Sequence, residues 1–143
     1  MIEKAVASAI LYNQHDQVLL QLRDDKPNLR YPNCWTLFGG ALEEGETPHT
    51  AIRRELIEEL ELRVPLTFWK VFRCPVRSIE NEVTTYNHIF VGRITYAVAD
   101  LTLHEGQAMR YFSRRKAAEL QLAFDQHLIL NDWINTYDHT HSH

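Results

Sequence analysis

Residues 40–62, GALEEGETPHTAIRRELIEELEL, decide how this chain is read. Thr47-Pro48 is a helix start, with threonine as N-cap and proline at the first helical position. Ile52, Leu56 and Leu60 then recur every fourth residue and form an apolar stripe. The stretch carries seven glutamates, and the spacing puts three of them, Glu55, Glu58 and Glu59, on one side of that helix beside the stripe. Ala51 shares that side and leaves room near the carboxylates. Two like unit charges ~4 Å apart cost about 1 kcal/mol in bulk water and about 4 kcal/mol at an effective dielectric of 20. A solvated acidic helix face is one reading of such a cluster. The other is a site for a hard cation, Mg²⁺ or Mn²⁺, which oxygen-only donors suit. Arg54, four residues before Glu58, is placed to pair with a carboxylate and hold its rotamer.

Working outward, Ala5 to Tyr12 reads as a buried strand, Asn13 to Asp16 as a polar turn, and Gln17 to Arg23 as a second strand. Asp24 to Asn33 is a loop dense in turn residues, and Trp35 to Phe38 is a short strand ending in Gly39-Gly40. Beyond the acidic helix, Leu66 to Val76 and Val83 to Tyr96 read as long strands around a polar turn at residues 78–82. Met109 to Phe112 is a further short strand. Ser113 caps a helix through Leu120, and Asp125 to Tyr137 is a closing amphipathic helix. No repeat or linker divides the chain, so residues 1–143 form one domain. Strands around an internal helix, with helices last, predict an α/β (α+β) fold: a mixed sheet covered on both faces.

With 45% hydrophobic and 24% charged residues the chain has the composition of a globular protein able to bury a core. Its formal net charge of −4 supplies no general basic field for a nucleic-acid polymer or an anionic membrane. A polyphosphate must therefore be held locally, by a cation or a few arginines. Two cysteines, Cys34 and Cys74, suggest neither a disulfide framework nor a zinc site, so a cytoplasmic location is expected. No signal peptide or membrane span is read.

The order of residues narrows the choice. Gly40, five residues, Glu46, seven residues and then Arg54-Glu55-Leu56-Ile57-Glu58-Glu59-Leu60-Glu61-Leu62 closely resembles the Nudix box, G-x5-E-x7-R-E-U-x-E-E-x-G-U, with U a bulky aliphatic residue. Eight of its nine specified positions match. The flanking strand pattern is also similar to a Nudix domain. The resemblance implies an α/β/α sandwich with the box helix on a mixed sheet. It further implies hydrolysis of a nucleoside diphosphate linked to another group X, with Mg²⁺ or Mn²⁺ as cofactor.

By position, Glu55, Glu58 and Glu59 become metal ligands with the Gly40 carbonyl, and the metal lowers the pKa of the water that attacks phosphorus. Glu55 or Glu58 acts as the base, a choice the sequence leaves open. Glu46 supports the loop and Arg54. Glu61 stands where the box has its last glycine, at a helix end that commonly needs a left-handed residue. A helix that terminates differently, with the chemistry retained, is expected there. Phe38 replaces the proline of many relatives, which bears on pocket shape.

Many relatives add an acid from outside the box; Glu105, in the tight loop before the Met109 strand, is the first candidate and Glu82 the second. Arg23, Arg30 and Tyr31, with Phe38 and Gly39, are candidates to hold the substrate. Trp35, Trp69, Phe72 and Tyr86 either stack a base or fill the core. His139, His141 and His143 read as a polar tail. The substrate class implied is a small nucleotide: a nucleoside triphosphate, oxidised ones included, or a nucleotide sugar, with a homodimer as one assembly the resemblance allows. The stretch after the box lacks the SQPWPxPxS-like run of NADH pyrophosphatases. The alternative is a non-catalytic nucleotide-binding or regulatory module, though such modules usually have broken boxes and an attached DNA-binding domain.

Overall fold

In the computed structural model, residues 2–77 and 82–137 are described. Strand β1 (Ile2–Tyr12) is the axis of the sheet, and its alternation assigns the two faces. Ala7, Ala9 and Leu11 join the cluster of Ile52, Leu56 and Leu60 on the box helix α1 (Pro48–Leu60). Ile10 and Tyr12 join Ile129, Leu130 and Trp133 of the closing helix α3 (Gln126–Thr136) on the opposite face. Fully burying each aliphatic side chain of the α1 stripe contributes about 2 kcal/mol. That outweighs the repulsion of about 1 kcal/mol expected between carboxylates in water, so the stripe holds the acidic helix in place.

The remaining strands are β2 (Val18–Leu22), β3 (Trp35–Thr36), β4 (Phe38–Ala41), β5 (Thr67–Arg77), β6 (Glu82–Arg93) and β7 (Ala108–Phe112). A short helix α2 (Arg114–Glu119), capped by the Ser113 side chain, precedes α3. The described residues form one seven-stranded mixed sheet with helices on both faces, the expected sandwich. β1 runs parallel to β6 along its whole length and antiparallel to β2 and β4. Its residues Val6 to Ala9 pair with β4, whereas Leu11 and Tyr12 pair with β2. One edge of β1 therefore changes neighbour between Ala9 and Leu11, and β2 and β4 diverge there. That split positions the site described below.

The strands and helices read from the sequence are present, with ends shifted by up to about three residues, except that the single strand read over Trp35 to Phe38 is two: β3 pairs with β2, and β4, which contains Gly39 and Gly40, pairs with β1. The turn at residues 78–81 and the tail histidines His139, His141 and His143 lie outside the described residues.

The end of α1 differs from expectation. Glu61 takes the left-handed conformation (φ 53°, ψ 35°) that a glycine would take there. Its N–H donates to the Ile57 carbonyl, and the Leu62 N–H reaches back to the Leu56 carbonyl at 3.2 Å. With Glu61 as the left-handed residue, its 5→1 bond to Ile57 is the αL closure, so the helix ends as a glycine-terminated one does and termination is unaltered. A glutamate there costs about 1 kcal/mol, which the Leu56 and Leu62 burial on either side outweighs.

Candidate active site

Arg54 organises the N-terminal side of the site. Its Nε and Nη2 donate to the two oxygens of Glu46 at 2.8 and 2.9 Å, a bidentate pair. Its Nη1 reaches Glu55 at 2.9 Å and Glu58 at 3.2 Å, and Nη2 also donates to the Ala41 carbonyl. Glu46 in turn accepts the Glu43 N–H at 2.7 Å. The Arg54 guanidinium, helped by that N–H, holds the Glu46 carboxyl below its usual value. Glu46 is thus tied to the loop and to Arg54.

Gly40 lies directly over Glu55. A Cβ at Gly40 would sit 2.5 Å from Glu55 Oε1, so only glycine lets that carboxylate approach the strand. Gly39 has φ 149°, and a Cβ there would meet the Ala7 carbonyl at 2.2 Å.

Glu59 occupies the split between β2 and β4. It is 2% exposed and receives the Gly39 N–H at 3.3 Å and the Gln21 side-chain amide at 3.4 Å. Burial, above all, pushes its carboxyl up to about 9. A hydrogen bond with Glu55 and the nearby charges of Glu55 and Glu105 add to the rise. No cation partner is assigned to this buried carboxyl among the described residues. Such a group takes a proton or a metal ion.

Glu105 reaches Glu59 because its loop is fastened at both ends. The His104 N–H donates to the Glu59 carbonyl at 2.9 Å, and the Gln107 N–H donates to the Leu22 carbonyl at 2.8 Å. Gly106 makes the turn between them at φ 86°. His104 Nε2 also lies 2.7 Å from Glu61 Oε2.

These groups open into a cavity of about 840 Å³, lined among others by Gly39, Gly40, Glu59, Glu105, Arg23 and Arg30. Its volume is that of a small-molecule site. Arg23 Nε donates to the Arg30 carbonyl at 3.0 Å, and both guanidinium groups lie over the Phe124 ring, at 4.9 and 5.6 Å. Tyr31 stacks obliquely on the same ring at 4.7 Å. The loop before β3 is thereby fixed to the segment preceding α3.

Several expected residues are placed elsewhere. Phe38 is completely buried in the α1-side core, because strand alternation puts it on the same face of β4 as Gly40, which lies over Glu55 of α1. It does not line the cavity. Glu58 is exposed and turned onto Arg54, away from Glu59. Among the described residues no three His, Cys, Asp or Glu side chains are arranged to hold one metal ion. Glu82, at the start of β6, does not line the cavity, whereas Glu105 does. Trp35, Trp69 and Phe72 pack against the α3-side core, and Tyr86 lies 3.5 Å from Glu3.

Sequence reasoning passed over Phe124, Asp125 and Asn87, all of which line the cavity. Phe124 and Asp125 are consecutive non-glycine residues with φ 56° and 59°. Such strained pairs gather at functional sites, but no residue type betrays them in the sequence. Asn87 lies on the same face of β6 as Ile89, an alternation that was readable once the face was known.

Comparison with known proteins places the chain in a family and agrees with its fold. The family model for the NUDIX domain matches residues 3–133. A nucleoside triphosphatase NudI from Enterobacter sp. (strain 638) is 34% identical over 79 residues, covering 54% of this chain and 55% of that protein. The chain thus aligns with about half the length of the curated relatives it matches. The Escherichia coli dihydroneopterin triphosphate pyrophosphohydrolase superposes with a TM-score of 0.75 at 19% identity, over 94% of this chain and 99% of that one. The E. coli ORF135 protein superposes with a TM-score of 0.73 at 23% identity, over 94% and 91% of the two chains. At these identities the superpositions establish the fold.

Proposed function

This chain belongs to the NUDIX domain family, and on that footing we propose that it is a Mg²⁺-dependent hydrolase of a diphosphate linkage. The substrate class is a nucleoside diphosphate joined to a group X, either a nucleoside triphosphate or a nucleotide sugar. The observation that carries the reading is Glu59: a buried carboxyl beside Glu55 and Glu105 at the wall of a nucleotide-sized cavity.

The donor set fits a hard divalent cation. It consists of oxygens, and the buried Glu59 carboxyl in the split between β2 and β4 has no cation partner assigned among the described residues. Glu55, Glu59 and Glu105, with the Gly40 carbonyl, would hold the ion. Glu58 would join them by leaving Arg54, which its exposed position permits. When bound, the cation supplies charge neutralisation at phosphate and activation of water. The rest falls to the chain itself. Arg54 holds Glu55 in place through Nη1, so Glu55 is the residue placed to take the proton from the attacking water. Arg23 and Arg30, on the cavity wall, attract the phosphate oxygens. Phe124 and Tyr31 between them exclude water from that side of the ligand.

The test is phosphate and pyrophosphate release over a panel of deoxynucleoside triphosphates, their oxidised forms and nucleotide sugars, with Mg²⁺. Turnover of at least one member is expected, lost on chelation and lowered by orders of magnitude in Glu59→Gln and Glu55→Gln. Release that survives both substitutions would sink the assignment. Tight nucleotide binding with no turnover would favour the non-catalytic module.

A further inference from the structure

The turn that carries Glu105 is fastened differently at its two ends. On the far side the Gln107 N–H donates to the Leu22 carbonyl. The Gln107 side-chain amide also donates to the Arg23 carbonyl at 2.7 Å and to Asn33 Oδ1 at 2.6 Å. On the near side, Leu103 packs against the α1-side core and the hydrogen bonds come from His104. Its N–H donates to the Glu59 carbonyl at 2.9 Å, and its Nε2 meets Glu61 Oε2 at 2.7 Å. Facing a carboxylate, Nε2 is the donor whether the ring is neutral or charged. Only Glu105 and Gly106 lie between the two anchors, and Gly106 is left-handed at φ 86°. A glycine constrains its neighbour little, so the direction in which Glu105 leaves the chain follows from His104.

Glu61 holds its end of this contact from a conformation that disfavours it. Its φ of 53° is left-handed, at the position where the box has glycine, and costs an L-residue about 1 kcal/mol. Its pair with His104 joins two exposed side chains, and such a pair adds little to the stability of a fold. Stability therefore does not account for a glutamate at this position. Backbone strain of this kind gathers at functional sites, where it fixes a geometry. Here it turns the carboxylate off the end of α1 onto the residue next to Glu105.

We infer that Glu61 and His104 are positioning residues: their contact latches the turn at residues 104–107 to the end of α1 and aims Glu105 at the carboxylates of Glu59 and Glu55. This rests on Glu105 being one of the cation's ligands, as proposed above. The charge of Glu105 bears on Glu59, so the turn delivers it to the same site. Neither latch residue touches the ion or the substrate; both act through Glu105.

Calorimetric titration with Mg²⁺ alone, without nucleotide, tests this on Glu61→Gly and Glu61→Gln. Both substitutions remove the same charge, but only glutamine keeps an acceptor for His104 Nε2. Glycine suits φ 53°, so the helix end stays intact in that variant. The glycine variant is expected to bind Mg²⁺ about two- to fivefold more weakly than the glutamine variant, the range an exposed pair can supply. With Glu105→Gln added to each, the two should bind alike, because the latch then has no carboxylate to aim. Equal affinities of Glu61→Gly and Glu61→Gln in the otherwise natural chain overturn the inference. A difference that survives Glu105→Gln does so as well. Mg²⁺ affinity unchanged by Glu105→Gln alone would remove Glu105 from the site and overturn the ligand assignment together with the latch. Weaker binding in Glu105→Gln, with the two Glu61 variants equal, would overturn the latch and leave the ligand assignment standing.

Discussion

Glu59→Gln should stabilise the metal-free protein at neutral pH and remove most of its pH dependence. The substitution keeps the shape of a side chain that is 2% exposed and removes its ionisation. Burial raises the folded carboxyl from the ordinary value of 4.5 to about 9, with Glu55 and Glu105 adding to the shift. The folded state therefore binds this proton more tightly than the unfolded chain does. Its contribution to stability is fully present below pH ~4.5 and is lost as pH rises towards the folded value. Within that window one proton is taken up on folding, and stability falls by about 1.4 kcal/mol per pH unit. From pH 5.5 to 7.5 the loss is up to about 2.7 kcal/mol. For a chain of 143 residues the unfolding entropy is about 0.3 kcal/mol per degree, so the change in melting temperature is roughly 9 °C. Thermal unfolding in EDTA across that range, for the natural chain and for Glu59→Gln, measures the difference in slope. Added Mg²⁺ should flatten the natural chain's slope, because a cation replaces the proton and binds better as pH rises. Parallel curves for the two proteins in EDTA would refute the argument.

Gly40→Ala puts a methyl 2.5 Å from Glu55 Oε1. Because the atoms it meets are the carboxylate end of a side chain that can swing aside, stability is expected to change by less than about 1 kcal/mol while the displaced Glu55 weakens Mg²⁺ binding more than tenfold, read by denaturation and metal titration. Arg54→Gln removes the bidentate partner of Glu46 and the clamp on Glu55. Stability should fall by about 2 kcal/mol and kcat should drop with KM little changed, as steady-state kinetics would show. Glu61→Gly relieves the left-handed glutamate at φ 53°. A rise in stability of about 1 kcal/mol is expected, since the exposed pair with His104 contributes little, and a fall would show that the pair matters more.

The local elements were legible because their signals are local. Thr47-Pro48 caps α1 within four residues, and the Ile52, Leu56 and Leu60 stripe declares which side is buried. The paired glycines before the loop and the glutamate spacing identify the family by themselves. The dispositions inside the site were not legible in the same way. Phe38 follows from the period of β4, but which side faces the cavity depends on β1 and α1. Glu58 turns outward because Arg54, already bound to Glu46, takes it up.

What the chain determines alone, then, is the chemistry of its acidic helix and the alternation that builds a two-faced sheet. Both arise from interactions a few residues apart, where helix and strand periods dictate direction. The tertiary structure decides which carboxylate is buried and which residues meet the ligand. Glu59 becomes the buried acid because β1 exchanges one neighbour for another and opens a gap beside Gly39 and Gln21. Asn87 and Asp125 reach one cavity because β6 runs parallel to β1 and α3 returns to the same face. Those meetings join residues tens of positions apart, and their energies come from desolvation, which exists only once the sheet has closed.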